Sequence, residues 1–520
     1  MYQLLAFLMG VDLWAKAYGY GSVSGQRAFI KPYDIVYDEQ DYLITGAFNL
    51  DPTNPSYTWD IFLLKLGHSG EYQWFKNYHV IGSDPNNEEG LSLAPFTLPD
   101  GKNIYIVCGY DIAGTRIILM AVNVNGDTLW TMGWSPTSGT CPRPKMILSR
   151  AGRIVVVSSI RDPDGYADIV LLFVQLTPGG QIESSSARWL QKPYYHEVPF
   201  GIAQTRKEPQ ESFVIAGTYS DNITDEAILL FEVTQDGDPA GPVYVYDLDT
   251  INGLYPTSFM DVPHSIAQTG RGFVLTGTSR TDGFFVIEVN SELRNPRIQR
   301  FGGGSTYEVY EIIQTDNGDF CLTTGNGLLG LDSLFGVNFA VSLPTHMESA
   351  TDLIEMPDGS ISVVGYSNLS SVIGANDGIV LKVSRKGFYP GCVGPNGYPP
   401  LEHQDTSYFI SLTPNSYPPP ASLNFGYGTL DLTTAQICDP LYEEIGEQNQ
   451  ENQEKLVIVR TLRGGISFFS TYETPISIYA SDGRLVHYGV LREGENRIDL
   501  DRGVYFWITQ AQKGKAMFMR

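Results

Sequence analysis

Basic residues are scarce in this chain. Only 34 Lys and Arg stand against 58 Asp and Glu among 520 residues, a formal charge of −24. A nucleic-acid partner needs stripes of Lys and Arg to displace counterions from phosphate, so that class is excluded. Cysteine is scarce as well, and five residues cannot build a disulfide scaffold. Cys392 and Cys438 bracket a Pro-rich stretch and are the candidate pair; their bridge would close a loop of about 45 residues and be worth a few kcal/mol. Unpaired thiols are the alternative. Cys108 and Cys321 sit inside apolar runs, as small core residues do. Long hydrophobic runs are missing too. Met1–Gly10 (MYQLLAFLMG) is too short to span a bilayer and has no basic start. Residues 1–11 read as the remnant of a secretory signal peptide, with a plain apolar strand as the alternative. No other stretch qualifies as an integral membrane segment.

Helix formers are sparse, and apolar runs of four to eight residues bounded by Gly, Pro, Asn and Asp dominate. That pattern predicts an all-β chain. The runs repeat. Asp60–Trp74 (DIFLLKLGHSGEYQW) reads as a buried strand, a glycine turn and a second strand ending on Trp. Copies follow at 116–130, 168–180, 225–238, 282–293 and 377–387, with a weaker one at 331–343, which makes seven. Upstream of each lies an apolar strand ending on a small residue, such as Ser212–Thr218 (SFVIAGT) or Gly272–Thr278 (GFVLTGT). Before that come a turn and an inner strand, such as Gly201–Thr205 (GIAQT) or Ser265–Thr269 (SIAQT). Four strands in a period of about 45 to 57 residues is the signature of a propeller blade rather than of a helical solenoid. Rungs of a β-helix are shorter and do not pass through two tight hairpins. The expected fold is therefore a seven-bladed β-propeller over residues 12–392. Trp14-Ala15-Lys16-Ala17-Tyr18-Gly19 matches the end of a repeat, and the seventh copy has no such strand of its own. The N-terminal strand is expected to complete that blade and close the ring, so that no sheet edge is left open there.

The run W-x-K-x-Y-G, then S-I-x-x-T, Asp-Gly, a V-x-G strand and D-x-x-L-x-K-L-x-x-x-G, resembles the repeats of secreted bacterial β-propellers in the broad WD-repeat-like group. The match covers roughly three quarters of the chain, and it speaks for fold rather than function. Residues 393–441, with Pro399-Pro400 and Pro418-Pro419-Pro420, show no repeat and are expected as an irregular excursion on the propeller rim. Residues 442–455 (YEEIGEQNQENQEK) are a polar linker. Residues 456–520 resume short strands and are net basic, with nine Lys and Arg against six Asp and Glu. The I-Y-x-x-x-G-R-x-V hairpin from Ile478, the G-V-Y-x-x-I strand from Gly503 and the basic terminus resemble the C-terminal sorting domain of the type IX secretion system. That resemblance implies a small β-sandwich, a secreted or outer-surface location and the type IX export machinery as a partner. The Pro-Asn-Pro turn that often opens the family is absent.

Chemistry is hard to find. There is no zinc spacing, P-loop, dinucleotide-binding glycine fingerprint or nucleophile elbow. Acids recur just before the inner strands, at Glu88, Glu197, Asp261, Glu308 and Glu348, and His196 and His264 sit beside two of them. In a propeller these would gather at one mouth of the axial channel, where carboxylates can hold a cation or work on a sugar. Acids that follow the repeat are also what strand capping would produce. No catalytic residue, resident metal or cofactor is assigned. The turns at 123–127, 162–165 and 234–238 faintly resemble calcium loops, which keeps structural calcium open, but none supplies the full ligand series. The expected role is binding or scaffolding, with a surface polysaccharide or a protein as ligand. A polysaccharide hydrolase or lyase working at the channel mouth is the first alternative, and a self-assembling surface subunit the second.

Overall fold

The computed structural model describes residues 13–19, 28–50, 59–80, 87–111, 116–135, 143–161, 165–191, 195–207, 210–222, 225–248, 261–279, 283–301, 308–325, 327–342, 347, 349–367 and 377–385. Between 394 and 518 it describes the strands named below and a few flanking residues. Among the described residues every element is a strand. Contacts divide the chain into two compact units, one spanning Trp14–Cys438 and the other Asp439–Arg520 with the first residues. Sequence positions 1–11 and 442–455 lie outside the described residues.

Seven antiparallel sheets, each with a four-strand core, make up the large unit. Sheet 7 includes β1 (Trp14–Gly19). Sheet 1 is β2 (Phe29–Tyr37), β3 (Asp41–Asn49), β4 (Asp60–Gly67) and β5 (Tyr72–Val80). Sheet 2 is β6 (Glu88–Thr97), β7 (Asn103–Asp111), β8 (Ile117–Val122) and β9 (Thr128–Trp134). Sheet 3 is β10 (Lys145–Leu148), β11 (Arg153–Arg161), β12 (Ala167–Leu176) and β13 (Ile182–Gln191). Sheet 4 is β14 (His196–Gln204), β15 (Ser212–Asn222), β16 (Asp225–Thr234) and β17 (Val243–Asp247). Sheet 5 is β18 (Asp261–Gln268), β19 (Gly272–Ser279), β20 (Gly283–Asn290) and β21 (Arg297–Phe301). Sheet 6 is β22 (Val309–Gln314), β23 (Phe320–Thr324), β24 (Gly327–Leu331) and β25 (Val337–Ser342). Sheet 7 is completed by β26 (Ser349–Glu355), β27 (Ile361–Tyr366) and β28 (Gly378–Val383), with β1 paired to β28 so that Trp14 lies opposite Lys382.

The middle strands are apolar on both faces because both faces are covered. The cores lie between sheets: Ile169, Leu171 and Phe173 of sheet 3 pack on Phe213, Ile215 and Leu229 of sheet 4. Trp14, Tyr18 and Val380 of sheet 7 pack in the same way on Ile44, Phe62 and Phe75 of sheet 1. Polar latches repeat with the cores. The Tyr18 hydroxyl donates to the Gly70 carbonyl (2.5 Å), Tyr78 to Gly126 (2.7 Å), the Trp130 indole N–H to Gly180 (2.7 Å) and Tyr246 to Leu293 (2.8 Å). Each bond runs from the outer strand of one sheet to the turn between the third and fourth strands of the next. The W-x-K-x-Y repeat is therefore an inter-sheet clasp, its lysines included: Lys16 reaches the Ser69 carbonyl and Lys76 reaches Asp127, each at 2.8 Å.

The weak repeat at 331–343 is corrected by the structure. The third strand of sheet 6 is Gly327–Leu331, so Asp332 does not open a strand. Its Oδ1 accepts the N–H groups of Leu334 and Gly336 (2.8 Å each), which makes it the anchor of a tight turn.

Residues 394–436 are not irregular throughout. They form six short strands, each paired antiparallel to an outer edge. The edges are taken in reverse chain order: β29 (Gly394–Pro395) on sheet 6, β30 (Pro400–Leu401) on sheet 5, β31 (Thr406–Ile410) on sheet 4 and β32 (Thr413–Tyr417) on sheet 3. Then β33 (Phe425–Thr429) pairs with sheet 1 and β34 (Thr433–Gln436) with β1 of sheet 7. Among the described residues sheet 2 has no fifth strand. The sequence between β32 and β33 carries Pro418-Pro419-Pro420, which have no amide to donate to a ladder. This belt left no sequence signal because its strands are two to five residues long, too short to show a hydrophobic period.

The C-terminal unit has a three-stranded sheet of β35 (Val457–Leu462), β36 (Gly465–Ser470) and β39 (Gly494–Ile498). A four-stranded sheet follows the order β38 (Leu485–Leu491), β37 (Thr474–Ala480), β40 (Gly503–Thr509), β41 (Lys513–Phe518). Strand β41 touches both β35 and β36 of the other sheet.

Candidate functional site: an axial cavity

The first strands of all seven sheets line one cavity of about 240 Å³. Six of these strands carry a β-bulge against the second strand, for example between Pro32 and Asp34, Gly90 and Ser92, and Pro263 and Ser265. Glycine on the second strand makes room for it. A Cβ on Gly277 would lie 2.1 Å from the Val262 carbonyl oxygen, and one on Gly365 would lie 1.9 Å from that of Ser349. Two residues then oppose one, and the side-chain phase shifts at that point.

The residue just after the bulge reaches across to the next sheet. Asp34 Oδ2 accepts the N–H of Leu93 (2.6 Å), Ser92 Oγ that of Met146 (3.2 Å), Ser265 Oγ that of Ile312 (3.4 Å) and Asp352 Oδ2 that of Ile35 (2.8 Å). The last bond joins sheet 7 to sheet 1. In sheet 4 the position is Gly201, which has no side chain to reach the next sheet at this level; a Cβ there would stand 3.3 Å from the Ile266 nitrogen.

Charge collects on this ring. Asp34, Glu311 and Asp352 line the cavity with Lys145 and His264. Burial pushes the carboxyls up, Asp352 well above the usual carboxylate range and Asp34 and Glu311 in the same direction. Asp34 and Asp352 are hydrogen-bonded to each other. Glu311 accepts the Ser265 hydroxyl. Desolvation, helped by the nearby Lys145 and Arg143 charges, lowers His264 to about 4, so it is neutral at neutral pH. Its Nε2 bonds the Thr278 hydroxyl (2.8 Å). Aromatic rings border the same place. Phe200 stands edge-on to His264 at 6.1 Å, and Tyr310 lies 6.3 Å on the other side of that imidazole. Tyr33 completes the border beside Glu89, whose carboxyl burial raises and which accepts the Tyr110 hydroxyl (3.3 Å).

Of the acids and histidines expected at a channel mouth, only His264 lines this cavity. Glu88, Glu197 and Asp261 are buried, at 0 %, 0 % and 1 % exposure, and Asp261 Oδ2 caps the N–H of Leu248 (3.2 Å). His196 accepts the Ala167 N–H of the preceding sheet (3.2 Å) and packs on Tyr166. Glu308 is exposed and accepts the Tyr310 hydroxyl. Glu348, Cys392 and Cys438 lie outside the described residues. The recurring acids precede the bulge, whereas Asp34, Glu311 and Asp352 follow or occupy it. Among the described residues no group of three His, Cys, Asp or Glu is arranged to hold a metal. The turns at Asn123 and Thr234 are closed by their own side chains, with Asn123 Oδ1 accepting the Asn125 and Asp127 N–H groups at 2.9 Å.

No family model and no curated protein matches the chain. Solved structures similar to it include a Bacteroides caccae protein of unknown function, at 10% identity over 67% of this chain and 91% of that one, with a TM-score of 0.32. A luciferin-regenerating enzyme matches at 8% identity over 71% and 97%, with a TM-score of 0.32. A GH43 β-1,3-galactosidase matches at 9% identity over 78% and 93%, with a TM-score of 0.29. The fold is all-β and propeller-like, and no helix among the described residues is long and apolar enough to cross a membrane.

Proposed function

We propose that the seven sheets are the blades of a closed seven-bladed propeller and that the protein is exported to act by binding a ligand at the axial cavity. Closure is supported by β1, which completes sheet 7 and clasps sheet 1 through Tyr18, and by the Asp352 staple to Ile35. The observation that carries the binding role is the cavity itself, in which hydrogen-bonding side chains from several blades converge within a ring of aromatic residues. Residues 456–520, with their two small sheets, are read as a type IX sorting domain and the export machinery as its partner. Fractionating cells that make the tagged full-length protein tests export, and retention in the cytoplasm ends that reading.

The hydrogen-bonded Asp34–Asp352 pair beside Glu311 favours a second reading, a polysaccharide-processing enzyme with its acid and base in the cavity. Binding is preferred because both aspartates already accept backbone N–H groups of a neighbouring sheet, which accounts for them as staples. Incubating the purified protein with a panel of polysaccharides and analysing the products separates the two. Bond cleavage sinks the binding role, and retention without cleavage supports it. Sedimentation at several concentrations tests the remaining alternative, a self-assembling surface subunit.

A further inference from the structure

The cavity's ligand class can be argued from what is already committed in its wall, taking the axial binding site above as the starting point. The carboxyls are not open chelators. Asp352 spends Oδ2 on the Ile35 N–H and Oδ1 on its neighbour Leu353 (2.7 Å), Asp34 spends Oδ2 on Leu93, and Glu311 holds the Ser265 hydroxyl. Lys145, in contrast, lines the cavity and makes no hydrogen bond or ion pair with any described residue. No described residue claims its three N–H donors.

Charge of either sign is opposed here. An anion drawn to Lys145 meets the Asp34 and Glu311 carboxyls, and a cation drawn to the carboxyls meets Lys145, with Arg143 close behind. The lining is also half-buried to buried, so an ion entering the cavity loses solvation that no full counter-charge restores. A ligand rich in hydroxyls escapes both costs, because each hydroxyl donates to a carboxyl oxygen or accepts from the ammonium as needed. The rings of Phe200, His264 and Tyr310, drawn from three successive first strands, give such a ligand an apolar face to lie on. At about 240 Å³ the space falls below the roughly 300–1,000 Å³ of pockets that enclose drug-sized molecules, so it suits one ring rather than a chain.

We propose that the axial cavity binds a single uncharged sugar ring, with Lys145 and the staple carboxyls on its hydroxyls and Phe200 against its C–H face. The inference rests on the cavity being the binding site, and the test separates the two claims. The intact protein is titrated by calorimetry and saturation-transfer NMR with neutral hexoses, the matching uronates and the matching hexosamines at neutral pH. The same titrations are run on Lys145→Met and Phe200→Ala. Both substitutions replace partly exposed side chains, and folding is checked by the retained thermal transition. The expected result is that a neutral hexose binds, that its charged counterparts bind more weakly, and that each variant loses roughly tenfold in affinity. If a uronate or hexosamine binds at least as well as the hexose and the variants still weaken it, the neutral-ring proposal falls while the cavity stands. If sugars bind and neither variant changes them, the cavity itself is the wrong site. If no single sugar binds, the proposal is overturned outright.

Discussion

Lys382 is a fully buried ammonium, and Asp358 meets it at 2.8 Å. Removing one partner of a buried pair leaves the other charge without compensation, so Asp358→Asn is expected to cost about 3 kcal/mol, read as a lower denaturant midpoint. The pair also sets an acid limit. Burial alone would raise the Asp358 carboxyl, but bonds from Lys382 and Ser360 outweigh it and hold the group below its ordinary value. Its contribution is therefore complete above the unfolded carboxylate range and is lost as pH falls through the folded value. The cavity carboxyls have the opposite sign. Asp352 binds its proton more tightly folded than unfolded, so its contribution is complete in acid and declines as pH rises from the ordinary range near about 4 towards its raised value. Asp352→Asn keeps an acceptor for Ile35 but cannot ionise. Its stability, measured by urea midpoints across that interval, is expected to fall less steeply with pH than that of the parent. At this scale the sequence was partly misleading. A reader counting acids from each strand start reaches Glu88 and Asp261, but the bulge slips the side-chain phase and hands the axis to Asp34, Glu311 and Asp352. Nothing in one-dimensional spacing reveals where two residues oppose one. His264 lines the cavity because it is itself the bulged residue between Pro263 and Ser265.

The element most fully legible in the sequence was the outer half of each repeat. Apolar runs such as Ile169–Val174 are buried on both faces, and the W-x-K-x-Y spacing puts Lys16 and Tyr18 on a single neighbouring turn. The clasp yields a direct test. Tyr78→Phe keeps the ring and loses the bond to the Gly126 carbonyl, so it should cost about 1 kcal/mol in an unfolding titration. The inner half depends instead on space. Gly277→Ala would force a methyl to within 2.1 Å of the Val262 carbonyl, and overpacking of that kind costs about 1–3 kcal/mol unless the bulge relaxes. Hydrogen exchange at the sheet 5 amides should report it, with faster exchange in β18 and β19 than in sheet 2. The belt was illegible for the opposite reason: its strands are too short to carry a pattern, and they pair along edges already built.

For the whole molecule, those edges are the exposed liability. Six of the seven sheets end on a belt strand, and without it their outer strands would present rows of unpaired N–H and C=O groups. A chain ending at residue 393 is therefore expected to associate with rising concentration in light scattering. One ending at residue 455, which keeps the belt, should stay monodisperse under the same conditions. Equal behaviour of the two would assign the belt no protective part.

The direction of the belt also has a kinetic meaning. Its strands visit sheets 6, 5, 4, 3, 1 and 7 against the order of synthesis, and the bond from Ile35 to Asp352 spans 317 residues of chain. The earliest-made sheet is thus among the last to receive its outermost strand. Such long-range pairing makes folding slow, since loop closure must precede any reward from the contacts it creates. Until its final quarter has emerged, the polypeptide has no finished rim.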